Sequence, residues 1–372
     1  MNLLDINVGF CRARQKRLLD VMQRLRLDLV VVGTNEHVQW LAGPRFTWHF
    51  EPAAALTADG RLTLVAPGAA PSVAAADEMV IYPAQRHSTL RNDQRQASSA
   101  ALLEALAGRV RPQRVGVEFS ALSQHLAAEL VRSHAAELVD IEPELYVLRR
   151  RKDPDELARL RKAIAGTAAM YARAREMIEP GVNELDMFNE LQAAAVREFG
   201  EPLTGTGNDY RSGAPGGPPR NRRAEDGELY ILDLGPAFRG YFADNCRTLA
   251  VNRRPTDAQQ RAWQQIVGVF PLVERMVKPG VRCRELFAAA QAHLDEHMPG
   301  GFDHHLGHGI GLFPHEAPHL NPHWDDEFQE GDVFTAEPGL YGPELRAGIR
   351  LENDYLVTAT GVELLSDLSL EM

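Results

Sequence analysis

Cysteine is scarce. Cys11, Cys246 and Cys283 are the only three, too few and too scattered for a disulfide framework, and their spacing matches no zinc-ribbon or redox motif. That scarcity points to a reducing compartment. Long apolar runs are missing too: nothing approaches the roughly 18 uncharged apolar residues of a membrane span. The first residues, with Asp5, Arg12, Arg14, Lys16 and Arg17, offer no signal-peptide core. There is no basic excess either, since 51 acidic residues outnumber 40 basic ones for a formal net charge of −11. This excludes an electrostatic grip on nucleic acid or anionic lipid. The expectation is a soluble, cytoplasmic protein with no nucleic-acid or membrane partner, acting on a neutral or small charged substrate.

What is present is enough for a substantial core. A chain of 372 residues that is 44% hydrophobic is long for one domain, and two are expected: residues 1–150 and 151–372. Apolar residues fall at helical spacing from Arg12 to Leu27, followed by the β-branched run Leu27-Asp-Leu-Val-Val-Val-Gly33. Ala53–Thr57 and Leu62–Val65 flank Ala58-Asp-Gly60 as a hairpin. Short strands near Met79–Tyr82 and Val115–Glu118 alternate with helical stretches at Ala97–Leu106 and Gln124–Ser133. The first domain therefore reads as a mixed α/β unit.

Leu148-Arg-Arg-Arg-Lys-Asp-Pro154 reads as the linker, and Asp153-Pro154-Asp155 opens a long helix toward Ile178. A second helix starts near Asn183. Residues 205–223, rich in Gly, Pro, Asn and Arg, read as an irregular loop. Strands are expected at Glu228–Leu234, Tyr241–Val251, Val333–Glu337 and Ile349–Thr358, with helices at Ala258–Val277 and Arg284–Glu296.

The most informative pattern is internal. Gly227-Glu228 leads to Asp233-Leu-Gly235, and Gly331-Asp332 leads to Glu337-Pro-Gly339, at the same distance. Gly240 then precedes Asp244 just as Gly348 precedes Glu352. Each copy is a turn, a strand and a carboxylate, so two hairpins present two acids apiece. The apolar neighbours Tyr230, Ile231, Leu232, Val333 and Phe334 mark these strands as buried. Buried acids need protonation, basic partners or metal ions. Arg247 and Arg350 are the arginines at hand, but four carboxylates with a histidine suit two divalent cations.

Between the hairpins lies His304-His305-Leu-Gly-His308-Gly-Ile-Gly311-Leu-Phe-Pro-His315, where glycines let the backbone approach a bound species. Imidazole ligates Mn, Fe, Co and Zn. The clustering singles out His304, His308 and His315 from thirteen histidines; His305 and His319 have no assigned role.

Asp233, Asp244, His308, Glu337 and Glu352 resemble the ligand set of the pita-bread-fold metallopeptidases, the creatinase, aminopeptidase P and prolidase group. Residues 28–43 resemble that group's N-terminal domain, and Leu148–Leu157 its domain junction. The resemblance implies an α/β (α+β) architecture: a creatinase-like mixed-sheet domain followed by a catalytic domain with pseudo-twofold β-hairpins carrying the ligands. It further implies two divalent ions, Mn first and Co, Fe or Zn as alternatives, and a short peptide or small amide as substrate. A homodimer and Xaa-Pro dipeptidase or aminopeptidase activity are also implied. Glu337 is then the proton shuttle, His304 and His315 hold substrate and stabilise developing charge, and Arg350 lies beside the metals, paired to a ligand carboxylate and on the substrate side.

One departure bears on substrate. Family peptidases usually carry a histidine in the loop before the first ligand Asp, and residues 205–223 contain none. Arg220, Arg222 and Arg223 stand there instead, and guanidinium suits a substrate carboxylate. Two other readings stay open: a metal-dependent hydrolase or lyase of a small metabolite on the same fold, and a catalytically silent binding module.

Overall fold

The computed structural model describes residues 2–46, 50–84, 94–109, 111–134, 136–207 and 209–372. It divides into two compact units, Met1–Arg149 and Arg150–Met372. Asn208, within the arginine-rich loop, lies outside the described residues.

In the first unit α1 (Val8–Leu25) starts at Asn7, whose side chain accepts the Phe10 N–H at 3.2 Å, and stops at Arg26 in the left-handed region, φ 56°. Then come β1 (Leu29–Val32), α2 (Asn35–Ala42), β2 (Ala53–Thr57), β3 (Leu62–Pro67) and β4 (Glu78–Tyr82). They are followed by α3 (Arg95–Leu106), β5 (Arg114–Val117), α4 (Gln124–His134), β6 (Glu137–Asp140) and α5 (Glu142–Arg150). The strands form one mixed sheet in the order β4-β3-β2-β1-β5-β6. β1 pairs antiparallel with β2 and parallel with β5. Covered on both faces, β1 is apolar throughout, whereas the edge strand β4 alternates between covered and exposed.

The second unit opens with α6 (Pro154–Met177), where the Glu156 carboxylate accepts the Asp153 N–H at 2.9 Å and Pro154 occupies the first turn. α7 (Glu184–Phe199), β7 (Asp209–Ser212), β8 (Leu229–Leu234), β9 (Ala237–Phe238), β10 (Tyr241–Phe242) and β11 (Asn245–Ala250) complete the first half. The second half comprises α8 (Asp257–Val267), α9 (Phe270–Met276), α10 (Cys283–Asp295), β12 (Gly307–Gly309), β13 (Glu316–Leu320) and β14 (Val333–Ala336). It ends with β15 (Gly339–Gly342), β16 (Ala347–Arg350), β17 (Asn353–Val357) and β18 (Val362–Leu364).

The two halves repeat each other. β8 pairs antiparallel with β11 and β14 with β17, while β9–β10 and β15–β16 are the hairpin tips. One core, around Met170, Tyr171, Met187 and Leu191, packs α6 and α7 on the first sheet. The other, around Ile266, Val273, Leu286 and Leu294, packs α8 to α10 on the second.

Four expected elements differ. The strand at 241–251 breaks at Ala243-Asp244 and the one at 349–358 at Leu351-Glu352, because each chain leaves its hairpin tip there to rejoin the main sheet. The helix over 258–277 splits near Gly268, ahead of Pro271, which lacks the N–H needed to continue it. Residues 209–212, expected as loop, form β7, with Asp209 opposite Asp233.

The turn acids of the two copies are tied to arginines. Glu228 takes both ends of the Arg222 guanidinium at 2.6 and 2.9 Å. Asp332, fully buried, takes Arg150 at 2.7 and 2.9 Å. Removing one partner of such a pair leaves an uncompensated buried charge. Asp332→Ala is therefore expected to lower the unfolding free energy by about 3–5 kcal/mol in urea titration, and a loss under about 1 kcal/mol contradicts this role for the pair.

Candidate metal centre

The paired hairpins deliver their acids to one place. Asp233 stands near the end of β8, Glu337 just past β14, and Asp244 and Glu352 in the breaks before β11 and β17. The halves are stitched together beside them: the Glu352 N–H donates to the Cys246 carbonyl at 2.9 Å and the Arg350 N–H to Thr248 Oγ1 at 3.0 Å. His308 arrives on β12, squeezed between β13 and β14. A Cβ on Gly307 (φ +159°) would meet the Thr335 carbonyl oxygen at 2.0 Å, and one on Gly309 the Ala317 carbonyl oxygen at 2.1 Å. These glycines therefore let strand pack closely on strand.

A cleft of about 450 Å³ receives all five residues, together with His304, His305, His315, Tyr341 and Arg350. Asp233, Asp244 and Glu352 bring a carboxylate oxygen each within 4.8 Å of one another; ring nitrogens and carboxylate oxygens come equally close in His305, His308 and Glu337, and in Asp244, His308 and His315. Asp244 thus belongs to both the carboxylate and the histidine groups. All five predicted residues are at least nine-tenths buried.

The hydrogen bonding fits a cation. Asp233 Oδ2 accepts from Arg350 Nη2 at 2.8 Å, but Asp233 Oδ1 and Glu352 Oε2 are buried without a hydrogen-bond partner. A buried carboxylate oxygen with no donor is costly unless a cation faces it. His308 Nδ1 donates to the Gly309 carbonyl at 3.0 Å, leaving the Nε2 lone pair toward Asp244 at 3.7 Å and Glu337 at 3.5 Å. Arg247, the other arginine at hand, is spent on the carbonyls of Cys246 and Glu352 and on Asn353 Oδ1. The donor set, oxygen-rich with imidazole, suits borderline divalent ions.

The electrostatics agree. Burial raises the Asp233 carboxyl to about 6 despite Arg350. Burial, and then the neighbouring acids, push Asp244 and Glu352 well above the carboxylate range. Glu337 differs: burial opposes its charge, but the His305 hydrogen bond and the nearby imidazoles bring it down to about 2. Burial lowers His308 to about 4 and also lowers His304 and His315.

Around the acids, His305 Nε2 contacts Glu337 Oε1 at 2.8 Å, and this bond raises the His305 pKa. His315 stacks on His308, ring centroids 3.7 Å apart at 12°. His304 Nδ1 donates to the His305 carbonyl at 2.7 Å. Its Nε2 therefore accepts from the Tyr341 hydroxyl at 3.0 Å, which in turn accepts from Arg350 Nη1 at 3.1 Å.

Sequence reasoning gave His305 no role and missed Tyr341 and Asp209, all of which line the cleft. The adjacency of His305 to His304 in the histidine segment was the available signal; Asp209 had none, since its importance comes from pairing with β8. His319 lies with Asp326, at 2.8 Å. Arg220 is held by Glu184 at 2.6 and 3.0 Å, Arg222 by Glu228, and Arg223 by the Gly181 carbonyl at 2.7 Å, so none lines the cleft.

Paired hairpins carrying acids and a histidine into one cleft, in a chain that also holds a separate mixed-sheet unit, define the class: a pita-bread fold with a candidate metal centre. The sequence model of Metallopeptidase family M24 matches residues 158–359, and that of the Creatinase/Prolidase N-terminal domain matches residues 14–151. The chain belongs to metallopeptidase family M24. It is 31% identical to an uncharacterized peptidase of Bacillus subtilis over 61% of this chain, an alignment that spans 65% of that relative's length. The Xaa-Pro dipeptidase of Pyrococcus furiosus is 31% identical over 65% of this chain and 70% of that protein. The crystal structure of the prolidase from Pyrococcus horikoshii superposes with a TM-score of 0.80 at 24% identity, covering 96% of this chain and 99% of that one. Among the described residues no helix is long and apolar enough to cross a membrane.

Cations and protons compete for these carboxylates. Asp233, Asp244 and Glu352 hold protons more tightly than free acids, so apparent divalent-cation affinity should rise with pH through about 6. The increase in Tm on adding Mn²⁺ is expected to be larger at pH 7.5 than at pH 5. An equal or larger increase at pH 5 contradicts binding at this cluster.

Proposed function

We propose that the chain hydrolyses amide bonds with two divalent cations, acting on Xaa-Pro dipeptides or on the N-terminal Xaa-Pro bond of short peptides. The observation that carries the reading is the convergence of Asp233, Asp244, His308, Glu337 and Glu352 on one cleft, two of them with buried, unpartnered oxygens. The substrate class rests on the names of relatives, Xaa-Pro dipeptidase and prolidase. In this reading the five residues are the metal ligands, and manganese is assigned first, with cobalt, iron or zinc as alternatives. Divalent cations held there would supply Lewis acidity to a water and to the scissile carbonyl.

The chain's own groups do the rest. Glu337 takes a proton from the attacking water and passes it to the leaving nitrogen, and His305 fixes the carboxylate through its 2.8 Å contact. His315, exposed to the cleft, donates to the carbonyl oxygen as charge develops on it. His304 holds the Tyr341 hydroxyl toward substrate, and Arg350 orients Asp233 from behind. We further assign a homodimer in the cytoplasm; the buried thiols of Cys11, Cys246 and Cys283, none of them in a disulfide, support a reducing compartment. The histidine-free loop favours a second reading, a small non-peptide amide at the same centre.

Mn-loaded enzyme should release amino acid from Xaa-Pro peptides. Glu337→Ala should lower kcat/KM by about 10²–10⁴-fold, the range of a general acid–base contribution. Substantial turnover by the variant overturns the role of Glu337, and turnover only of cyclic amidines or creatine moves the assignment to the second reading.

A further inference from the structure

The charge lining the cleft is one-sided. Four ligand carboxylates would balance two divalent ions, leaving Asp209 and Asp303 against a single lining arginine, Arg350. That arginine is engaged: Nη1 donates to Tyr341, and Nη2 to both Asp209 and Asp233. Its Nε is buried. Asp209 is fixed in turn, since it lies opposite Asp233 in the β7–β8 register and its Oδ1 accepts the Gly217 N–H at 2.6 Å. Gly216 also packs against it, because a Cβ there would lie 2.3 Å from Asp209 Oδ2. The loop arginines that could have met an anionic substrate are taken by Glu184, Glu228 and the Gly181 carbonyl.

From this arrangement we propose that Asp209 is a specificity-determining residue: it occupies the guanidinium that a substrate carboxylate would need, so the cleft takes peptides whose far end is neutral or cationic and rejects a free carboxylate next to the proline. An approaching carboxylate must displace Asp209 from Arg350 and meet Asp303 at the rim, whereas an amide, an extended peptide or a basic residue meets no such penalty. Within the amidase reading, on which this rests, the chain is an aminopeptidase of longer or C-terminally blocked Xaa-Pro peptides, not a dipeptidase.

The test uses the full-length Mn-loaded enzyme with an Xaa-Pro dipeptide and its C-terminal amide. The amide should have the higher kcat/KM by about tenfold or more, the scale of one charge interaction near a protein surface. Asp209→Asn, which removes the charge and keeps an acceptor for the Gly217 N–H, should narrow that ratio at least threefold by improving the free acid. Preference for the free acid by the wild type, or an unchanged ratio in a folded Asp209→Asn variant, overturns the proposal; if the variant does not fold, the wild-type ratio decides. If neither compound is cleaved, the amidase reading fails separately, and calorimetric titration of the same two compounds into the wild type decides this one. Tighter binding of the amide supports it; equal binding, tighter binding of the acid, or no binding of either overturns it.

Discussion

Four carboxylates converge in a space that water barely reaches, and the rest of the second unit is arranged around that fact. Like charges at such separations cannot all persist in a low-dielectric interior without compensation. One arginine, Arg350, reaches Asp233 but leaves the opposite oxygen bare, and Glu352 carries a second unpartnered oxygen. Without cations the acids must share protons, which is why Asp244 and Glu352 are driven so far up while Glu337, held by imidazoles, stays ionised. That division puts an ionised carboxylate beside groups that give up protons when a cation arrives.

The duplicated hairpin explains how a chain can hold such a cluster at all. In each copy the turn acid is neutralised by a bidentate arginine, Glu228 by Arg222 and Asp332 by Arg150. The strand-end acid is left without such a partner. Anchoring the turns fixes the strands, and the strands carry apolar side chains into two separate helix-covered cores. The backbone breaks at Asp244 and Glu352 then bend both second acids inward. Rigid elements around a strained electrostatic centre are what precise metal geometry requires.

Much of this was legible in the sequence because its causes are local or periodic. The β-branched run of β1, the capped start of α6 and the paired Gly-to-carboxylate spacings each rest on residues close in the chain. The α/β class and the family follow from them, and the five spaced residues do meet in one cleft. What escaped was set by pairing between distant segments. Asp209 matters only because β7 lies against β8, Tyr341 because the β15–β16 tip folds over His304, and His305 because it reaches Glu337. The arginines of residues 220–223 read as free cations in sequence, yet Glu184, an unremarkable helix-start acid, captures Arg220 from another element. Gly307 and Gly309 likewise looked like ligand-approach glycines, and the strands they separate were not visible.

We propose that this acid cluster is a two-cation site. Crystals soaked in Mn²⁺ and measured near the manganese absorption edge test it directly. The account predicts two anomalous peaks about 3.5–4 Å apart, lying among Asp233, Asp244, His308, Glu337 and Glu352. No peak there, or a single one away from Asp244, would contradict it.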